Sequence, residues 1–138
     1  MKAEEVIERF RKTGALLEGH FVLTSGLHSP IYLQCALVLQ QPRDAEEFGR
    51  SIAEYFQAEN IQTVASPAIG GIVIGHETAR ALGAKFIWTE RQDGVMILRR
   101  GFSVSPGESE RARASFSPLR IQHPVRNRTL PTRRFAIS

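Results

Sequence analysis

A single cysteine, one tryptophan and no unbroken apolar run approaching about 18 residues set the first limits on this chain of 138 residues. The lone Cys35 rules out an internal disulfide and points to the cytoplasm. It lies in the apolar stretch Tyr32 to Leu39, where a buried small apolar residue is expected. The segment Met1 to Arg11 is charged and amphipathic with no hydrophobic core of a signal, so neither secretion nor membrane insertion is expected. Without such a signal, the acceptor pattern Asn127-Arg128-Thr129 carries no weight. There is no Cys/His cluster, and His20, His76 and His123 lack metal-ligand spacing, so no protein metal site is expected. The last absence is local: residues 111–138 hold no acid and no lysine but seven arginines. All 14 acids and 11 of the 18 Lys and Arg lie before them, so a net −3 is joined to a net +7.

What is present is a chain of one-domain size with 42% apolar residues, enough to bury a core. Ala3, Val6, Ile7 and Phe10 form one apolar face of a first helix that Gly14 ends. Extended runs follow at Phe21 to Thr24 and Ile31 to Leu39, with Ser25 to Pro30 as a hairpin-type connection. Asp44, with Glu47 three residues on, is placed to cap a second helix that buries Phe48, Ile52, Tyr55 and Phe56 and stops at Asn60. Then come an apolar strand (61–65), a Gly-rich turn, a helix (72–82) capped by Gly83, and a strand (84–88). That βαβ order predicts an α/β fold with a parallel sheet flanked by helices. Val95 to Leu98 reads as a further strand between the turns Asp93-Gly94 and Ser105-Pro106-Gly107. Residues 109–138 show neither helical nor strand periodicity, and are read as an irregular Arg-rich tail.

Three stretches carry chemistry. Ser66-Pro67-Ala68-Ile69-Gly70-Gly71 leaves a buried strand and opens a helix, where bare amides at the positive helix end suit phosphate or pyrophosphate; such turns also serve as plain connections. Thr24-Ser25-Gly26-Leu27-His28-Ser29-Pro30-Ile31-Tyr32 gathers hydroxyls, an imidazole and an aromatic ring that suit a small planar polar ligand, or else form an ordinary polar turn. Arg91, Arg99 and Arg100 fall near the carboxyl end of the strand 84–88, the edge at which open α/β sheets bind ligands, and guanidinium groups suit a polyphosphate. Their alternative is a solvated, salt-bridged ribbon in which Glu90 and Asp93 are exposed.

Gly19 to Pro30, Ser66 to Gly71 and Thr89-Glu90-Arg91-Gln92-Asp93-Gly94, in this order and spacing, resemble the bacterial orotate phosphoribosyltransferases over about residues 1–108. The resemblance implies a type I phosphoribosyltransferase fold: a partial domain over 1–108, with a hood at about 15–40 and a βαβ core at about 61–88. It implies transfer of ribose 5-phosphate from phosphoribosyl diphosphate to N1 of orotate, with Mg²⁺, in pyrimidine (UMP) biosynthesis, by a homodimer in the cytoplasm. By the same resemblance Thr24, Ser25, Gly26, Tyr32 and Leu33 contact orotate. Pro67, Ala68, Ile69, Gly70, Gly71 and Arg91 hold the diphosphate, with Arg91 donated across the dimer interface. No catalytic residue is assigned.

There are departures from the pattern. Family members carry Lys where Thr24 and Gly70 stand here, and a mobile loop with Lys and His that is not found between Gln92 and Gly101; Arg99 or Arg100 is the expected substitute. After Glu108 the family's strand, paired acids and Thr/Gly-rich ribose-phosphate loop are not matched, as a frameshift or truncation would produce, and impaired transfer is expected. The alternatives are another phosphoribosyltransferase, a regulator derived from one, or a binding protein whose basic tail attracts nucleic acid. No nucleic-acid motif accompanies that charge, so nucleic acid is not an expected partner.

Overall fold

The computed structural model describes residues 1–22 and 26–104. The expected turn at Ser105-Pro106-Gly107, the tail 109–138, and Thr24 and Ser25 of the polar connection lie outside the described residues. Helix α1 (Ala3–Lys12) carries Glu4 and Glu5 in its first turn and Arg9, Arg11 and Lys12 in its last, which complements the helix dipole. The Lys2 amide donates to the Glu5 carboxylate at 3.0 Å. The expected apolar face is narrower than its spacing suggests. Val6 and Phe10 are half-buried while Ile7 is exposed.

Strands β1 (Leu16–Val22) and β2 (His28–Leu33) form an antiparallel hairpin with a bulge between Glu18 and Phe21. The predicted extended run 31–39 is corrected in its second half: after Leu33 the chain turns into the short helix α2 (Cys35–Leu39). A continuous apolar run fixes no period, so strand and helix compete on equal local terms. Burial of Val38 selects the helix. This leaves Cys35 exposed rather than buried.

Helix α3 (Pro42–Tyr55) starts three residues earlier than the capping pattern suggests. Proline occupies its first turn and Gln41 the N-cap, without a side-chain cap. Asp44 is therefore inside the helix, where its carboxylate accepts from Arg9 of α1 at 2.7 Å. Arg9 also pairs with Glu47, and the Phe10 and Phe48 rings meet edge to face at 6.0 Å, so α1 is fastened across α3. Hydrogen bonding to Glu47 is the chief cause that raises the Arg9 pKa above its ordinary value; desolvation opposes it, and the charges of Glu47 and Asp44 add to the rise. The helix buries a line of small residues, Ala45, Gly49 and Ala53, instead of the expected Ile52 and Tyr55; Tyr55 is 81% exposed. The selecting force is the approach of α4 (Ile72–Leu82), whose backbone at Glu77 and Thr78 sits where a Cβ on Gly49 would stand.

A single 3₁₀ turn (Gln57–Glu59) and Asn60 in the left-handed conformation, φ 38°, end this layer and lead into β3 (Thr63–Pro67). Strand β3 pairs in parallel with β4 (Lys85–Gln92), and α4 connects them and closes at Gly83, so the predicted βαβ unit is present. Strand β4 runs on to Gln92, four residues past its expected end. It folds back through Asp93-Gly94, both at positive φ, into antiparallel β5 (Val95–Leu98). Two central residues at positive φ give the hairpin turn whose twist suits paired strands. Gly75 of α4 lies against Ser66 and Phe86, so the helix covers the sheet face bearing Phe86 and Trp88.

Candidate anion site

The turn from Pro67 to Gly71 joins the end of β3 to the start of α4, at the carboxyl edge of the parallel pair. Its two ends are tied down. The Ala68 amide donates to the Thr89 carbonyl at 2.7 Å, and the Gly71 amide donates to the Pro67 carbonyl at 3.0 Å. The Ile72 amide donates to the Ile69 carbonyl at 3.1 Å, and the Ala68–Ile69 peptide is cis. The expected row of open amides from Ala68 to Gly71 is thus corrected at both ends, because fastening the turn to β4 and closing it on itself consumes those donors. Among the described residues, no hydrogen bond takes the amides of Ile69, Gly70, Val73 or Ile74. Four backbone donors at a helix N-terminus, with no side-chain cap from Gly71, make a site of positive potential.

The two glycines differ in role. A Cβ on Gly71 would lie 2.8 Å from the Pro67 carbonyl oxygen and 2.9 Å from Pro67 Cδ, so the tight closure requires glycine. A Cβ on Gly70 would meet nothing within 4 Å. Beside it the Ile69 side chain is 85% exposed. Beneath the turn, the hydroxyls of Ser66 and Thr89 are buried without a hydrogen-bond partner among the described residues. No carboxylate stands in the turn, and the described residues contain no group of three or more His, Cys, Asp or Glu that could hold a metal. This donor set does not fit a protein-held Mg²⁺, which takes carboxylate and phosphate oxygens.

The three arginines do not converge. Arg91 shares the sheet face of Thr89 and is exposed, donating from Nη1 to the Gly94 carbonyl at 3.1 Å. Glu90 takes the opposite face with Trp88, and its carboxylate accepts from Arg100 Nε at 2.7 Å and pairs with Arg99 at 3.5 Å. The expectation of an exposed Glu90 is corrected: its side chain is 18% exposed beneath those arginines. Trp88 stacks edge to face on Phe102 at 4.6 Å, and the Trp88 indole N–H points to the same carboxylate. Arg99 and Arg100 therefore form the salt-bridged ribbon.

The Arg100 hydrogen bond is the chief cause that holds the Glu90 carboxyl below its ordinary value; partial burial opposes it. A depressed folded-state pKa stabilises the fold above the ordinary value and loses that contribution as pH falls through the lower one. Glu90→Gln should therefore flatten the acid side of the stability profile. Urea midpoints of variant and parent should differ at pH 7 and converge below about pH 4; parallel profiles across that range would remove Glu90 from the acid response.

The remaining sequence-predicted residues lie on the hairpin. Tyr32 and Leu33 are exposed on β2, with the Tyr32 and Phe21 rings 5.6 Å apart, and Gly26 has φ 80°. An open groove of about 500 Å³ between α1 and α3 is lined by Glu5, Glu8, Arg9 and Arg50 among others, and by no residue of the 67–71 turn. Among its lining residues Lys12 pairs with Glu8 and Arg9 with Glu47, while Arg50 pairs with Glu46 outside it, which suits a solvated seam between helices.

The chain is similar to the orotate phosphoribosyltransferases of Chlorobium phaeobacteroides, with 56% identity over 108 residues, and of Pelotomaculum thermopropionicum, with 53% over 108. These alignments cover 78% of this chain but 56% and 57% of the relatives, so the chain spans a little over half their length. Among solved structures it resembles the UMP synthase of Leishmania donovani, with TM-score 0.61 and 18% identity over 67% of this chain and 21% of that one. It also resembles the orotate phosphoribosyltransferase of Aeropyrum pernix, with TM-score 0.53 and 20% identity over 72% and 54%. At those identities the likeness is one of fold. No family model matches the chain.

Proposed function

We infer that this chain, which over 78% of its length belongs to the orotate phosphoribosyltransferase family, binds the diphosphate of phosphoribosyl diphosphate at the Pro67–Gly71 turn. The reaction it serves is attack of orotate N1 on the ribosyl C1′, with departure of pyrophosphate and formation of orotidine 5′-monophosphate in pyrimidine biosynthesis. The observation that carries the reading is the set of unengaged amides at Ile69, Gly70, Val73 and Ile74. As the C1′–O bond breaks, negative charge grows on the pyrophosphate oxygens, and fixed N–H dipoles stabilise it without reorganising. Arg91, whose contact among the described residues is its bond to the Gly94 carbonyl, is placed to swing toward a diphosphate in its own or a partner protomer of a homodimer. Mg²⁺ is taken to arrive on the diphosphate oxygens, and no step is assigned to it. Tyr32 and Leu33 are the described candidates for the orotate side. None of the described helices is long and apolar enough to cross a membrane, and a cytoplasmic setting follows from the cysteine usage.

Amide chemical shifts during a pyrophosphate titration, with and without Mg²⁺, test the assignment. Ile69, Gly70, Val73 and Ile74 should move together; movement confined to residues 111–138 would remove the turn from the site. The space at Gly70 adds a second expectation. Its backbone is not in the left-handed region and a side chain there meets nothing, so Gly70→Lys should fold normally and bind pyrophosphate more tightly, by up to about tenfold for one charge-assisted contact. Unchanged affinity in that variant would mean that the anion does not sit over Gly70.

A further inference from the structure

The hairpin brings together two histidines that sequence spacing leaves eight residues apart. His20 lies at the bulge in β1 and His28 opens β2, paired with Val22, so the imidazoles are diagonal neighbours across the ladder. Their rings stack with centroids 4.8 Å apart and 27° between planes, and His20 Nε2 faces His28 Nδ1 at 2.5 Å. Both residues are exposed. One ring must donate and the other accept, so a single proton lies between two nitrogens whose lone pairs converge on one point.

We propose that His20 and His28 form a two-imidazole clip for a late first-row divalent cation, for which Zn²⁺ is the probe. Neutral imidazole suits Zn²⁺, Ni²⁺ and Cu²⁺ and does not suit Mg²⁺. Two Zn–N bonds of about 2.0–2.1 Å at the tetrahedral angle hold their nitrogens roughly 3.3 Å apart, so the rings need to part by less than about 1 Å. Exposed side chains make that adjustment by small χ rotations. As the donating ring becomes a ligand, its proton passes through solvent to that ring's other nitrogen, so both imidazoles bind neutral, and water completes the coordination, since the described residues supply no third His, Cys, Asp or Glu. The bound ion braces β1 against β2 at the base of the connection that contains residues 23–27. The proposal rests on the hairpin alone and is independent of the reaction assigned above.

Zn²⁺ titration of the full chain, followed through histidine ring resonances, tests it. His20 and His28 should shift together with one ion per chain while His76 stays still, and amide exchange should slow along β1 and β2. His20→Phe keeps an aromatic ring on the stack and removes the donor, so it should weaken binding at least tenfold. His28→Gln, which replaces the other donor, should do the same if His20→Phe does not fold. Full affinity in either folded variant, or a response led by His76 or Cys35, would overturn the clip.

Discussion

Replacing Gly71 with alanine should weaken pyrophosphate binding by at least about tenfold in a protein that still folds. The added Cβ would stand 2.8 Å from the Pro67 carbonyl oxygen, 2.9 Å from Pro67 Cδ and 3.1 Å from Ser66 Cβ. All three atoms belong to the strand end that the turn closes upon, and the Gly71 amide spends its own hydrogen bond on that same Pro67 carbonyl. Relief of the clash requires Gly71 to move away, which opens the turn and displaces the neighbouring Ile69 and Gly70 amides. Misplacement of about 1 Å in a positioned group costs on the order of a hundredfold in rate, and a fixed anion cradle should lose affinity by at least about tenfold. Overpacking itself costs about 1–3 kcal/mol. Gly70→Ala is the matched control, since its Cβ meets nothing. Calorimetric titration on both variants gives the answer; binding by Gly71→Ala within twofold of the parent would show that the anion is held elsewhere.

The second large effect concerns folding. Gly49 faces the backbone of α4, where a Cβ would fall 2.6 Å from the Glu77 carbonyl carbon, 2.6 Å from Glu77 Cβ and 2.9 Å from the Thr78 amide nitrogen. Backbone atoms in the middle of a helix cannot step aside as a flexible side-chain end can. Any side chain at this position therefore separates α3 from α4, the helix that also lies on the sheet through Gly75. Gly49→Ala gains about 1 kcal/mol of helix propensity and should still be destabilised, by about 1–3 kcal/mol overall. Gly49→Leu should remove most of the stability of a domain whose total is about 5–15 kcal/mol. Urea unfolding followed by circular dichroism reads both. A Gly49→Ala protein more stable than the parent would mean that the two helices do not meet at this residue.

Motifs that act through local backbone geometry were legible in advance. Ser66 to Gly71 announced a strand-to-helix turn because small residues there are required by close approach, and Asp93-Gly94 announced its hairpin because two positive φ angles favour such residues. The βαβ order followed from alternating apolar runs and the Gly83 stop. What was misjudged depended on neighbours distant in the chain. Spacing alone favoured the large apolar residues of α3 as its buried face, yet Ala45, Gly49 and Ala53 are buried because α4 comes too close for anything bigger. Arg91, Arg99 and Arg100 looked like one cluster on a linear chain. Extending β4 by four residues placed Arg91 on one face and Glu90, with its two arginines, on the other.

The sequence by itself determined the class of fold, the place of the Gly-rich strand-to-helix turn and the family resemblance, since these depend on residue type, order and period along the chain. Only the tertiary structure decided which amides remain available at that turn, because hydrogen bonds to Pro67 and Thr89 consume the donors at its ends. It alone paired His20 with His28, since a bulge and a strand register set that meeting, and neither is written in the spacing of two residues.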